Sequence, residues 1–177
     1  MNDNTVAIDR SLKPTGLRFA SRFNVVVPFI DRHLVEGRAA KAAIRTAEGD
    51  VTYGELAERV GRCANGLLGL GLRSGERMMM VVKDAPEFFY LFWGAIRAGI
   101  VPVPLNTLLR HGDYQFMIDD SACAALVYSP EYAGEVEAAL VAASNKPRRI
   151  LKTRGTGDTV EALIASASSQ QIGRAHV

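Results

Sequence analysis

The chain has 177 residues, 48% of them apolar and 23% charged, with a net charge of +2. That length allows one domain, or one and part of another. The apolar share excludes a disordered chain, and 16 glycines and 7 prolines without a Gly-x-y period exclude collagen and low-complexity linkers. The small basic excess comes with no long basic run and no aromatic-interleaved stripe, so no nucleic-acid partner is expected.

Cys63 and Cys123 both sit in apolar segments. They read as two reduced core thiols rather than a disulfide. The N-terminal 22 residues lack the apolar region of a secretory signal. The longest apolar stretch, residues 88–96, is too short for a bilayer and is followed by Arg97. A cytoplasmic protein with no membrane partner is the expectation.

Residues 1–22 show no periodicity and read as a flexible arm. Next comes the apolar lead-in Phe23-Asn24-Val25-Val26-Val27-Pro28. Pro28 can open a short helix through Leu34, because its missing N–H costs nothing in a first turn. Gly37 ends that helix, which should carry His33 on its surface. Residues 42–46 and 51–53 read as a hairpin across Ala47-Glu48-Gly49-Asp50, with Gly49 supplying a positive φ.

The strongest helix signal follows. Leu56, Ala57, Val60, Cys63, Ala64, Leu67 and Leu68 share one face at the 3.6-residue period. Thr52 and Glu55 have capping-box spacing, and Gly69 and Gly71 stop the helix. The run Met78-Met79-Met80-Val81-Val82 is apolar on both faces, as in a parallel strand covered on both sides. Pro86 starts a mostly apolar helix that Gly99 ends. Residues 100–105 read as a strand that is short, irregular or at an edge, because Pro102 and Pro104 cannot donate to a ladder.

Gly112-Asp113 opens a further helix. Residues 124–128 read as a strand, 130–144 as a helix and 149–152 as a strand, with a possible helix over 160–165. After the hairpin, helices and strands alternate. The fold class is α/β, with βαβ units around a mostly parallel sheet.

Several patterns suggest chemistry and then fail on context. The glycines at 69, 71 and 75 resemble a dinucleotide fingerprint, but they close a helix instead of opening one. Gly94 and Gly99 have P-loop spacing without the Lys-Ser/Thr that must follow. Gly155-Thr156-Gly157 reads as a surface loop. His33, His111 and His176 have no partners at metal-ligand spacing, and no G-x-S-x-G elbow is present. Asp119 and Asp120 are neighbours on a helix, so they point apart and read as a solvated helix end. Residues alone give an α/β domain without a self-contained active site.

Three stretches carry a family resemblance. Val51-Thr52-Tyr53-Gly54-Glu55-Leu56-Ala57 resembles the T-Y-x-E-L opening of the adenylate-forming enzymes. Gly71-Leu72-Arg73-Ser74-Gly75-Glu76-Arg77-Met78 is similar to their turn and strand. The run from Gly94 to Asn106, with Pro102-Val103-Pro104-Leu105-Asn106 at its end, looks like their A-G-x-v-x-v-P-L-N segment. The lead-in from Phe23 to His33, Pro86 to Ala95, and Leu105 to Leu109 resemble the benzoate–CoA ligases in particular. That resemblance implies an incomplete N-terminal subdomain of the adenylate-forming fold over residues 23–152. It also implies ATP-dependent activation of an aromatic carboxylic acid, transfer to coenzyme A, and Mg²⁺ assisting the first step.

Within these 177 residues there is no Ser/Thr/Gly-rich phosphate loop ending in Pro-Lys. The acyl pocket and the C-terminal catalytic lysine are not matched either. The expectation is therefore an inactive N-terminal fragment, with no catalytic residue, no metal ligand, and poor binding of ATP, CoA or Mg²⁺. The one binding residue the resemblance suggests is Arg110, toward the 3′-phosphate of coenzyme A. Residues 153–177 are expected to be a tail. Its last six, Ile172-Gly173-Arg174-Ala175-His176-Val177, equal a translated sequencing adapter (ATC GGA AGA GCA CAC GTC). A ligase fragment for another acid, hydroxybenzoate, aminobenzoate or fatty acid, is an alternative. So is a stand-alone, non-catalytic α/β interaction module.

Overall fold

The computed structural model describes residues 3–170. The stretch 172–177 therefore lies outside the described residues. Strands β1 (Val6–Asp9) and β2 (Gly16–Phe19) form an antiparallel hairpin. A π-helical turn over Val27–Asp31 runs into the short helix α1 (Arg32–Val35). A second hairpin, β3 (Ala42–Thr46) with β4 (Gly49–Thr52), precedes the long helix α2 (Tyr53–Gly69). Then come β5 (Arg77–Val81), α3 (Pro86–Arg97), β6 (Val101–Pro104), α4 (His111–Ser121) and β7 (Ala125–Tyr128). A 3₁₀ turn leads into α5 (Ala133–Ala142), followed by β8 (Arg149–Lys152) and α6 (Val160–Ser166).

Residues 3–22 differ from the expectation at the level of elements. Their hairpin carries only four residues per strand, too few for a period of two to stand out. The other differences between elements are at boundaries. The strand read over residues 51–53 stops at Thr52, because that residue caps α2. Glu55 N donates to Thr52 Oγ1 at 3.2 Å, and Thr52 N donates to Glu55 Oε2 at 2.8 Å. Such a box contributes about 1 kcal/mol. His33 is half-buried, stacked on the Tyr53 ring at 3.8 Å between centroids.

The main sheet is four-stranded and parallel, in the order β6-β5-β7-β8. Its alternation divides the core. Met78, Met80, Ala125 and Val127 face a cluster built with Leu67 of α2, Leu91 and Ala95 of α3, and Val160 of α6. Met79, Val81, Leu126 and Tyr128 face Tyr114 and Ile118 of α4 and Val136 and Ala139 of α5. All three methionines have no exposed surface. The prolines put β6 at the sheet edge, as expected. Helix α6 forms where a helix over 160–165 was expected and packs on α2: a Cβ at Gly66 would lie 2.5 Å from Leu163 Cγ.

Gly94 allows α3 to cross α2 closely. A Cβ there would lie 2.9 Å from both Cβ and Sγ of Cys63 and 3.3 Å from the Ala64 backbone nitrogen. That close crossing accounts for a glycine whose spacing imitated a P-loop. Arg97, at the end of α3, pairs with Asp31 of the π-helical turn. Both cysteines are free and buried, and burial pushes the Cys63 thiol up to about 12.

Two measurements check this packing. Gly61 in α2 has nothing within 4 Å of a built Cβ, so Gly61→Ala should gain up to about 1 kcal/mol of helix propensity. Gly94→Ala should be less stable than Gly61→Ala by about 1–3 kcal/mol, from overpacking, in urea denaturation. The Cys63 thiol should not react with Ellman's reagent at mildly alkaline pH in the folded chain, and should react fully in denaturant.

Candidate functional site at the carboxyl edge of the sheet

In a parallel sheet, ligands meet the loops beyond the carboxyl ends of the strands, at the point where strand order reverses. Here β5 is followed on one side by β6 and on the other by β7, so the reversal lies between β5 and β7. The loops leaving β5, β7 and β8 bring Lys83, Glu131 and Arg154 together. Glu131 Oε1 is 3.6 Å from Lys83 Nζ and 2.6 Å from Arg154 Nη2. Behind them, the buried Ser129 Oγ accepts from Lys83 N at 3.0 Å and from Thr153 Oγ1 at 3.4 Å.

A cavity of about 420 Å³ opens beside this cluster, between the β3–β4 turn and the start of α3. Arg59 forms one wall. Its Nη1 donates to Tyr90 Oη at 2.7 Å, and its guanidinium carbon lies 5.2 Å from the Tyr90 ring centroid. Burial raises the Tyr90 phenol above its ordinary range, against the pull of Arg59. The bases here are Arg59, Lys83 and Arg154; the acids are Glu48, Asp50, Asp84, Glu87 and Glu131. Carboxylates outnumber cations, and one of them, Glu131, already pairs with both Lys83 and Arg154. These side chains do not form a cradle for a triphosphate. Among the described residues no group of three His, Cys, Asp or Glu could hold a metal ion.

Arg110 lies at the same edge, beyond β6 and just before α4. Its side chain is 80% exposed, with Nη1 3.1 Å from Glu135 Oε1. Glu135 Oε2 accepts from His111 N at 2.7 Å, and Asp113 Oδ2 accepts from Arg110 N at 3.1 Å. The His111 amide, then Arg110, hold the Glu135 carboxyl below the usual range. Asp119 is not merely solvated: its Oδ1 accepts from Ser144 N and Asn145 N, at 2.8 and 2.7 Å. Lys83, Glu131 and Arg154 escape sequence reasoning, because strand order brings them together and no motif spans them. The one available signal was that each directly follows a predicted strand or its loop.

The family profile described as AMP-binding enzyme matches residues 31–174. The chain belongs to the AMP-binding, adenylate-forming enzymes. It is 35% identical over 164 residues to the benzoate–CoA ligase of Thauera aromatica, covering 92% of this chain and 31% of that one. It is 41% identical over 117 residues to the 4-hydroxybenzoate–CoA/benzoate–CoA ligase of Rhodopseudomonas palustris, covering 66% and 22%. The crystal structure of a benzoate–CoA ligase from Burkholderia xenovorans superposes with a TM-score of 0.76 at 34% identity, over 86% of this chain and 30% of that one. The chain thus spans about a fifth to a third of the length of these relatives. Full-length enzymes of the family use ATP, CoA and Mg²⁺.

The Glu135 contacts predict a pH effect with a definite sign. A carboxylate depressed in the folded state adds stability above its unfolded pKa, near 4.3, and loses it as pH falls through the folded value. Carbon-13 NMR titration should place Glu135 below an ordinary glutamate. Arg110→Gln should raise it only in part, since the His111 amide is the larger cause.

Proposed function

We propose that this chain supplies the N-terminal scaffold of an ATP-dependent aromatic acid–CoA ligase of the benzoate–CoA ligase type, acting in the cytoplasm on a small aromatic carboxylate. The observation that carries this reading is the 35% identity to a benzoate–CoA ligase over 92% of the chain. Its buried positions form the parallel sheet, and its carboxyl-edge loops gather where the strand order reverses. The chain alone does not form an adenylate. Lys83 and Arg154 share the one carboxylate of Glu131, and the sequence carries no Ser/Thr/Gly-rich loop ending in Pro-Lys whose backbone amides would cradle phosphates.

Within the complete enzyme, Arg110 approaches the 3′-phosphate of coenzyme A. Its exposed guanidinium touches Glu135 through Nη1, which leaves other N–H donors facing water. The residues that choose among benzoate, hydroxybenzoate and a longer acid belong to the acyl pocket, which this segment does not match.

Pyrophosphate exchange with benzoate and ATP tests the first claim. The isolated chain should give no turnover above background, and clear turnover would overturn the scaffold reading. Joining these residues to the remaining part of a benzoate–CoA ligase tests the second. That hybrid should form benzoyl-CoA. In it, Arg110→Gln should raise KM for coenzyme A about tenfold, as the loss of one charge-assisted hydrogen bond would. The KM for 3′-dephospho-coenzyme A should not change. An equal rise for both thiols would remove Arg110 from the phosphate.

A further inference from the structure

The first backbone amides of an α-helix have no acceptor within it. At the start of α2, Glu55 N uses the Thr52 hydroxyl. The two amides before it use the loop that leaves α1. Tyr53 N donates to Lys41 O at 3.0 Å, and Gly54 N donates to Ala39 O at 2.9 Å. A Cβ built at Gly54 would lie 3.4 Å from Ala39 O, so the loop lies close on the helix start.

Arg38 ties that loop to α1. Its Nε donates to His33 Nδ1 at 2.9 Å. Its backbone N donates to His33 O at 2.7 Å, and its backbone O accepts from Lys41 N at 3.0 Å. The half-buried His33 ring lies flat on the Tyr53 ring, with centroids 3.8 Å apart and planes at 11°. His33 therefore joins α1, the loop and the first residue of α2.

This arrangement suits only one protonation state. A guanidinium has donors and no acceptor, so His33 Nδ1 must carry a lone pair. An imidazolium has an N–H at both nitrogens, and turning the ring over restores no acceptor. The charges nearby are Arg32, Arg38 and Lys41 against Glu36. That one carboxylate is shared by Arg38 Nη2 and, at 3.8 Å, by Arg32 Nε. Burial, then Arg38 and Arg32, hold His33 below its ordinary range. Glu36 acts in the opposite sense, and so does the face of Tyr53, which attracts a cation. The other titratable group at this helix start is Glu55, whose carboxyl the Thr52 amide and hydroxyl hold below the usual range. The capping box thus keeps its charge where His33 titrates.

We propose that His33 is a pH-sensitive clasp on the start of α2: its neutral ring holds Arg38 and the loop over residues 38–41 against the helix, and protonation releases them. Protonation removes the acceptor for Arg38 and adds a positive charge beside Arg32 and Arg38. The loop then loosens its hold on the Tyr53 and Gly54 amides. The clasped form binds the proton less well than the open one. The clasp is therefore at full strength above about pH 6.5, the ordinary histidine value, and weakens as pH falls below it.

NMR of the full chain tests this. The His33 ring should titrate below 6.5, with its neutral form protonated at Nε2. The amide resonances of Arg38, Tyr53 and Gly54 should shift with the same midpoint. Hydrogen-exchange protection of Tyr53 and Gly54, corrected for the intrinsic pH dependence, should fall about three- to tenfold from pH 7.5 to 5.5. The upper limit is the one pH unit between 5.5 and an open-state value near 6.5. His33→Asn offers an acceptor that cannot titrate, so it should keep the fold and lose this response. Arg38→Met, which lacks the donor, should raise the His33 midpoint. A midpoint at or above 6.5 would show that Tyr53 and Glu36 prevail, and would overturn the proposal. So would a titration felt by the His33 ring alone, or an equal loss of protection in His33→Asn.

Discussion

Strand β5 is flanked by β6 and β7, and Met78, Met79 and Met80 have no exposed surface on either side of the sheet. A strand buried on both faces needs two covering layers. Three consecutive large side chains make that need strict, since each buried one is worth about 1.5–3 kcal/mol. One layer is α2, α3 and α6; the other is α4 and α5. Methionine suits this place because its unbranched chain fits the uneven gaps between helices. The close approach of α2 and α3 at Gly94 draws the first layer tight enough to seal it.

The same requirement explains what could be read from the sequence. The helix from Tyr53, its Thr52–Glu55 cap, the apolar run at 78–82 and the two strand prolines are local signals, and each marks an element that the structure contains. Local signals end where tertiary placement begins. The β1–β2 hairpin has strands too short for a period to register, and its meaning lies in which residues pair. Helix α6 is weak as a pattern; it becomes part of the core because Leu163 sits against Gly66, nearly a hundred residues earlier in the chain.

The carboxyl edge shows the same limit for function. The resemblance singled out Arg110 because a motif ends just before it, and the structure shows that residue paired with Glu135. Lys83, Glu131 and Arg154 come from three different loops. They meet only because β5, β7 and β8 are neighbours in that order, and strand order is not a local property. A functional site assembled by a parallel sheet is therefore less legible than the sheet itself.

Glu131 and Glu135 give that edge its character. They lie four residues apart, in the segment that follows β7. Glu131 reaches Lys83 beyond β5 and Arg154 beyond β8, and Glu135 reaches Arg110 and the His111 amide beyond β6. One segment thus ties together the exits of the other three parallel strands. Exposed ion pairs of this kind are individually worth little, so the arrangement matters less for stability than for occupancy. Every base that could meet a phosphate at this edge already has a carboxylate partner, apart from Arg59, which donates to Tyr90. An anion arriving here must compete with glutamates fixed by the start of α5. The acid side chains after β7 therefore set the affinity of the edge as much as the basic ones do.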